Sequence, residues 1–195
     1  MITVNSVVVG PIHTNCYLVT FNGQTLIIDP GAEAAKISAK IKELQLRPIA
    51  VLNTHGHWDH IMADTAIKQE YQIPLLAPAA DQWLIEKEKD YYHIGELPVD
   101  QWYTDKLNLD LPAQVIATPG HTPGSSCLLL ENHLFSGDTM FASGCLGRTD
   151  FPGGSAADMQ KSLQKLLALD DSIIVWPGHE ESTTIGQERG FYGGR

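Results

Sequence analysis

Residues 53–60 read Asn-Thr-His-Gly-His-Trp-Asp-His, which places four side chains able to bind metal within six positions. His55 and His57 are two positions apart, so in an extended segment they project to the same side and can chelate one ion. Asp59 and His60 fall where a helix is expected to begin, and the turn of the chain there directs them toward a second ion. The spacing therefore predicts that one loop serves two metal ions.

Three further candidate ligands each follow an apolar run: His121 in Thr-Pro-Gly-His, Asp138 in Ser-Gly-Asp-Thr, and His179 in Trp-Pro-Gly-His. A glycine beside each lets the backbone turn sharply at a strand end. Imidazole and carboxylate donors without thiolate favour zinc, iron or manganese. Two ions roughly 3.5 to 4 Å apart lower the pKa of a shared water toward about 7, so we expect two divalent ions of one of these metals and hydrolytic chemistry.

The elements that must position these residues are predicted from short apolar runs and helical stripes. Turns are expected at Asn22-Gly23 and Glu131-Asn132. The predicted strands cover residues 16–21, 25–28, 49–52, 73–76, 114–117, 126–130, 133–135 and 172–176, and the predicted helices cover residues 32–46, about 59–71, 78–89 and 155–169. Alternating strands and helices, with hairpins in both halves, predict an α/β or α+β domain in which outer helices cover the sheets.

Length and charge narrow the class of protein. The chain has 195 residues and a formal net charge of −10, which argues against nucleic acid or an anionic membrane as a partner. We expect one domain over residues 1–195. Residues 1–5 lack the features of a secretion signal and no apolar run is long enough to span a bilayer, so a cytoplasmic location is expected.

The motifs Thr-His-Gly-His-Trp-Asp-His, Pro-Gly-His-Thr-Pro-Gly-Ser, Ser-Gly-Asp-Thr and Pro-Gly-His together resemble the metallo-β-lactamase superfamily, and within it the short bacterial type of the glyoxalase II (hydroxyacylglutathione hydrolase) branch. The resemblance implies a four-layer αββα sandwich. It also implies seven ligands, three on each ion and one bridging: His55, His57 and His121; Asp59, His60 and His179; and Asp138. Asp29, in Asp-Pro-Gly, is expected to lie beneath the ions and orient their ligands.

The segment Gly144 to Phe151 resembles the loop with which glyoxalase II binds the glycine carboxylate of glutathione, and Arg148 is the expected cation there. The sequence departs from the longer eukaryotic type, because only residues 180–195 follow the last ligand and no C-terminal glutathione-binding helical domain is expected. Glu180 stands where the family has a small residue, and residues 190–194 replace its usual ending.

The resemblance implies hydrolysis of a small glutathione thioester such as S-lactoylglutathione by a metal-bridging hydroxide, with Asp59 and Asp138 as catalytic residues. The alternative is a persulfide dioxygenase with a single iron, whose Gly-Arg-Thr-Asp-Phe loop resembles residues 147–151. A β-lactamase is a lesser alternative. We expect a monomer or homodimer. Four aromatic residues, Tyr91, Tyr92, Trp102 and Tyr103, are interpreted as packing residues, with a substrate-pocket wall as the alternative.

Overall fold

The computed structural model describes residues 2–192, so Met1 and residues 193–195 lie outside the described part. The chain divides into two units, Met1–Tyr103 and Thr104–Arg195, each with its own sheet and hydrophobic core. Among the described residues, no helix combines the length and the apolar character that crossing a membrane requires.

The first unit is built on a six-stranded sheet in the order β1-β2-β3-β4-β5-β6. Its strands are β1 (Ile2–Val9), β2 (Thr14–Phe21), β3 (Gln24–Ile28), β4 (Pro48–Leu52), β5 (Leu75–Pro78) and β6 (Gln101–Tyr103). β1 to β3 are antiparallel, and β3 to β6 are parallel. The predicted turn at Asn22-Gly23 joins β2 to β3 with positive φ at both residues, as a tight hairpin requires. The carboxyl ends of β3 to β6 therefore share one edge.

Four helices accompany this sheet: α1 (Ala34–Glu43), α2 (Trp58–Ile61), α3 (Asp64–Tyr71) and α4 (Gln82–Tyr92). Ile37 and Ile41 form the buried stripe of α1, as predicted, whereas Leu44 is only half-buried at the helix end. The core they join includes Leu18, Ile27, Val51, Ile67 and Leu75. Burial of these side chains is the main driving force that fixes the sheet.

The helix predicted over residues 59–71 is two helices in the structure. α2 ends at Ile61 and α3 begins at Asp64. The amide of Ala63 donates to the carbonyl of Pro30 at 2.9 Å and not to the preceding helical turn. This interrupts the series of helical hydrogen bonds between α2 and α3. α2 is therefore continuous with the histidine-rich loop, residues 53–60, and is not the first turn of α3.

The second unit contains a five-stranded sheet in the order β11-β10-β9-β8-β7. Its strands are β7 (Ala113–Ala117), β8 (Ser126–Leu130), β9 (His133–Gly137), β10 (Ile174–Pro177) and β11 (Thr183–Thr184). β9 and β10 are parallel, and the other neighbours are antiparallel. The predicted turn at Glu131-Asn132 joins β8 to β9. Because β7, β9 and β10 run in the same direction, their carboxyl ends meet at one edge.

Two helices belong to this unit, α5 (Ala156–Leu167) and α6 (Ile185–Tyr192). The hydroxyl of Ser155 accepts a hydrogen bond from the amide of Asp158 at 3.2 Å, which confirms the predicted N-cap of α5. Met159, Leu163 and Leu166 form the predicted apolar stripe and are buried, and Leu167 beside them is half-buried.

Four elements were not predicted: β1, β6, β11 and α6. Apolar and polar residues do not alternate regularly in β1, because Asn5 and Ser6 interrupt its apolar positions. β6 and β11 are too short to show any period. The strand predicted at residues 73–76 begins at Leu75, after Pro74, which has no amide hydrogen to give to a ladder. The helix predicted at residues 78–89 begins at Gln82, after one 3₁₀ turn.

Candidate metal-binding residues

The histidine-rich loop follows the carboxyl end of β4, at the edge where the parallel strands end. His55 and His60 are buried, and His57 is half-buried. The ring centroids of His55 and His57 are 5.0 Å apart, and those of His55 and His60 are 4.1 Å apart. α2 begins at Trp58, directly before Asp59, as the spacing predicted. The first unit thus brings the three imidazoles of the loop together.

Asp29 follows the carboxyl end of β3 and lies beneath this loop. Its Oδ1 accepts a hydrogen bond from the Thr54 amide at 2.7 Å, and its Oδ2 accepts one from the Thr54 hydroxyl at 2.7 Å. The same Oδ2 lies 3.0 Å from Nδ1 of His60. The Thr54 hydroxyl is in turn 3.1 Å from Nδ1 of His55. One carboxylate therefore orients His60 directly and His55 through Thr54.

Asp29, His55 and His60 also offer donor atoms that all lie within 4.8 Å of one another. Geometry alone thus allows Asp29 to be a ligand. Both of its oxygens are already engaged with Thr54 and with the outer nitrogen of His60, which is the arrangement of a group that orients ligands. We therefore interpret Asp29 as a residue that orients His55 and His60 and not as a metal ligand.

Asp59 lies in the first turn of α2. Its Oδ2 accepts a hydrogen bond from the Thr14 hydroxyl at 3.0 Å and lies 3.1 Å from Nε2 of His60. Gly31 lets the chain pass close by, because a Cβ there would meet the Asp59 carbonyl oxygen at 1.6 Å. The loop after β3 and the start of α2 are thus in direct backbone contact.

His121, Asp138 and His179 follow the carboxyl ends of β7, β9 and β10, and the second unit brings all three together. Oδ2 of Asp138 lies 3.5 Å from Nε2 of His121 and 3.5 Å from Nε2 of His179. Nδ1 of His121 donates to the carbonyl oxygen of Arg148 at 2.7 Å. One carboxylate oxygen thus lies at the same distance from two imidazole nitrogens.

The Gly-Arg-Thr-Asp-Phe segment packs against these donors through its glycine. A Cβ on Gly147 would lie 1.8 Å from the Asp138 carbonyl oxygen and 3.2 Å from the ring of His121. Only glycine permits this approach. The segment thereby places the carbonyl oxygen of Arg148 within hydrogen-bond distance of Nδ1 of His121.

The side chain of Arg148 is exposed and pairs with Asp150. Its Nε and Nη2 donate to the two carboxylate oxygens of Asp150 at 2.9 and 2.7 Å, and its guanidinium lies 4.2 Å from the ring centroid of Phe151. Asp150 thus occupies the face of the Arg148 guanidinium that was expected to bind a substrate carboxylate.

The ring nitrogens that face the carboxylates of Asp138 and Asp59 are Nε2 of His121 and Nε2 of His60. Because Nδ1 of His121 donates to a carbonyl, Nε2 of a neutral His121 carries a lone pair that points toward the carboxylate of Asp138. His60 repeats the pattern between Asp29 and Asp59. A divalent cation beside each pair of acceptors offsets this repulsion. The donor set therefore fits a metal ion.

Cysteine is not part of these donor sets. Burial raises the pKa of Cys127 to about 11, and burial also raises the pKa of Cys16 well above its usual range, so both stay protonated. Cys145 is exposed. Nitrogen and oxygen donors of this kind suit zinc, iron or manganese.

Sequence reasoning missed several buried polar residues that hold the loops. The Gly56 amide donates to Asp81 at 2.9 Å, and the Tyr103 hydroxyl donates to the Asn53 carbonyl at 2.7 Å. Asp81 and Tyr103 are both buried. These partners lie 25 and 50 positions away in the sequence, so no local spacing signals them.

The sequence model of the metallo-beta-lactamase superfamily matches residues 9–179. The chain belongs to this superfamily. A similar relative is the hydroxyacylglutathione hydrolase GloC of Haemophilus influenzae, 36% identical, with 90% of this chain and 89% of that protein covered. The probable metallo-hydrolase YqgX of Bacillus subtilis is 34% identical, with 93% and 92% covered.

Solved structures confirm the metallo-β-lactamase fold that the motifs predicted. The BLEG-1 B3 metallo-beta-lactamase has a TM-score of 0.88 and 32% identity, with 96% of this chain and 97% of that chain covered. TTHA1623 in a di-iron-bound form has a TM-score of 0.87 and 32% identity, with 94% and 96% covered. ETHE1 from Myxococcus xanthus has a TM-score of 0.78 and 28% identity, with 96% and 81% covered.

Proposed function

We propose that this protein is a metal-dependent thioester hydrolase that converts an S-(2-hydroxyacyl)glutathione, such as S-lactoylglutathione, to the hydroxy acid and glutathione. The observation that carries the proposal is the clustering of imidazole nitrogens and carboxylate oxygens around Asp138 and His60, a donor set that suits divalent cations. The likeness to GloC, a hydroxyacylglutathione hydrolase, supports the substrate class.

We further propose that the donors of the two units act on one pair of divalent ions, zinc in the first instance, with iron or manganese as alternatives. The assignment is three ligands for each ion and one bridge: His55, His57 and His121; Asp59, His60 and His179; and Asp138. Membership of the superfamily supports it. The likeness to a di-iron-bound structure leaves the identity of the metal to experiment.

Bound divalent ions supply a water of lowered pKa and stabilise negative charge that develops on a carbonyl oxygen. The chain's own residues supply orientation. Asp29 and the Arg148 carbonyl hold Nδ1 of His60 and of His121, so that Nε2 of each would be the nitrogen that binds an ion. Thr14 holds the carboxylate of Asp59 in place.

A thioester suits this site because its leaving group needs little help. The pKa of a thiol is about 8.5, so a thiolate departs near neutral pH without a strong general acid. An amine leaving group has a much higher pKa and requires protonation. The proposed reaction therefore requires the side chains only to bind the metal ions and the substrate.

Arg148 is the proposed contact for the glycine carboxylate of glutathione. Substrate binding there requires the guanidinium to exchange Asp150 for the substrate carboxylate. The exchange is inexpensive, because both side chains are about two-thirds exposed and surface ion pairs contribute little. Replacing Arg148 by alanine is expected to raise KM rather than lower kcat.

A persulfide dioxygenase is the second candidate. The Gly147 to Phe151 segment resembles that class, and the likeness to ETHE1 is compatible with it. That reaction needs a single iron held by two histidines and one aspartate, and consumes oxygen. The two candidates differ in metal count and in the need for oxygen.

The deciding experiment assays one metal-quantified preparation on two substrates, with and without oxygen. We expect hydrolysis of S-lactoylglutathione at equal rates in air and under nitrogen, and no oxygen uptake with glutathione persulfide. Oxygen consumption with the persulfide and no thioester turnover would replace the hydrolase with the dioxygenase.

A further inference from the structure

Three aromatic side chains, one half-buried and two exposed, form a patch beside the histidine-rich loop, here called the aromatic patch: Trp58, Tyr91 and Tyr92. The indole of Trp58 stacks on Tyr92 with ring centroids 4.8 Å apart and an interplanar angle of 26°. Tyr91 meets Tyr92 edge-on at 4.9 Å. Tyr91 is 74% exposed and Tyr92 is 39% exposed. The other two aromatic residues of the prediction do pack, since Tyr103 is buried and Trp102 lies against the core.

The patch is fixed to the donor loop by the chain itself. Trp58 stands between the proposed ligands His57 and Asp59. Its amide donates to Oε2 of Glu88 on α4 at 3.3 Å, which ties the start of α2 to the helix that carries Tyr91 and Tyr92. Desolvation raises the pKa of Tyr92, and the charges of Glu88 and Asp59 raise it further. Tyr92 is thus stacked on Trp58, the residue that stands between these two proposed ligands.

The charge around the patch decides which part of a thioester suits it. Glu88, on α4, is half-buried where Trp58 meets this helix, and its carboxylate repels an anion. Glutathione carries two carboxylates, whereas the acyl group of the thioester is neutral. Rigid aromatic faces beside such a site favour apolar and aromatic groups.

We propose that the aromatic patch is the subsite for the acyl group of the substrate and selects aryl or extended apolar 2-hydroxyacyl groups over lactoyl. The inference rests on the proposed function and narrows its substrate class. An aromatic group packs on the faces of Tyr91 and Tyr92, while the methyl group of lactoyl is too small to cover them.

The first test compares S-mandeloylglutathione, in which phenyl replaces the methyl of lactoyl, with S-lactoylglutathione. The ratio of kcat/KM for mandeloyl to lactoyl is expected to fall about tenfold in Tyr92→Ala and about threefold in Tyr91→Ala. Trp83→Ala is the matched control, because Trp83 is a 44% exposed aromatic residue in the first turn of the same helix. Its ratio is expected to equal that of the parent protein, and an unchanged ratio in Tyr92→Ala would overturn the proposal.

The second test needs no turnover. Calorimetric titration of the metal-loaded protein with mandelate and with lactate is expected to show tighter binding of mandelate, and Tyr92→Ala is expected to abolish the difference while metal content stays constant. Equal affinities in the parent protein would overturn the subsite. If neither thioester is hydrolysed, the proposed function fails, and this titration still decides whether the patch binds an aryl acid.

Discussion

Asp29 shows how much of the site depends on single residues. It occupies the left-handed region at φ 51°, which aspartate and asparagine tolerate better than most residues. From there its carboxylate reaches Thr54 and His60 at once. The backbone conformation and the orientation of two histidines are thus linked through one side chain.

Replacement of Asp29 by asparagine tests that link. Asparagine keeps the shape and tolerates the same backbone conformation, but it cannot accept with both side-chain atoms. We expect metal affinity to fall about 10- to 100-fold. Competition with a chromogenic chelator measures it, and an affinity equal to that of the parent protein would remove Asp29 from the orienting role.

Asp64 offers a test of pH dependence at the residue scale. Burial raises the pKa of Asp64 well above its usual range, and the charge of Asp29 raises it further, although a hydrogen bond from Asn53 opposes the shift. A raised folded-state pKa means that the native protein binds more protons than the unfolded chain. The stability of the parent therefore falls as pH rises from the usual pKa of a carboxyl group toward the raised pKa of Asp64.

Asp64→Asn has no such titration. The free energy of unfolding of Asp64→Asn relative to the parent is therefore expected to be larger at pH 8 than at pH 5, because the parent loses stability as its raised carboxyl pKa is approached and the variant does not. Urea unfolding at the two pH values measures the difference, with Asp64→Ala as the variant that leaves a cavity. A difference that shrinks with rising pH would contradict the assignment.

The residue types of the site could be predicted from the sequence, whereas their partners could not. His55, His57, Asp59 and His60 lie within one short run whose spacing carries the signal. The groups that hold this run, such as Asp81 at Gly56, reach it only after the fold brings distant segments together. The bidentate pairing of Arg148 with Asp150 was likewise not predicted, since a short exposed pair leaves no pattern.

At the scale of elements, the direction of the strands positions the donors. The proposed ligands follow the carboxyl ends of strands that run the same way within each sheet. Long amphipathic helices and tight hairpins were predicted correctly because their periods and turn residues are local. The break between α2 and α3 was not, because it depends on the hydrogen bond from Ala63 to Pro30.

α6 holds the loop that precedes Gly147. Buried Glu188 accepts hydrogen bonds from the amides of Ser143 and Gly144 at 3.1 and 2.7 Å and from the Thr183 hydroxyl at 2.7 Å. Tyr192 donates to the Gly144 carbonyl at 2.8 Å. The helix thus fixes the start of the segment that reaches His121.

Glu188→Gln is expected to lower the free energy of unfolding by about 2 kcal/mol, since an amide nitrogen would face backbone donors that now meet a carboxylate oxygen. Urea denaturation measures the loss. Glu181→Gln, at an exposed position nearby, is the matched control and is expected to change stability by less than about 0.5 kcal/mol. Equal stabilities of the two variants would show that Glu188 does not hold the loop.

At the scale of the molecule, a net charge of −10 accompanies clustered carboxylates in the donor loops. Asp29, Asp59 and Asp138 each lie within about 3.5 Å of an imidazole nitrogen. Divalent cations at the proposed site would offset this concentration of negative charge. The charge of the whole chain agrees with a small acidic substrate at a cationic centre and not with a nucleic acid.

Metal removal is therefore expected to destabilise the whole protein. At a metal concentration roughly 1,000 times Kd, binding contributes about 4 kcal/mol, which corresponds to a fall of about 10 °C in Tm for a chain of this size. Calorimetry before and after treatment with a chelator measures the change, and re-addition of zinc is expected to restore it. An unchanged Tm would contradict metal binding by the buried donors.

The most direct test of the central claim counts metal ions in protein that is hydrolysing S-lactoylglutathione. The account predicts two divalent ions per chain by native mass spectrometry, and an Asp138→Ala variant that loses both the second ion and thioester turnover. Full thioester activity with one ion per chain, or two tightly held ions in Asp138→Ala, would contradict it.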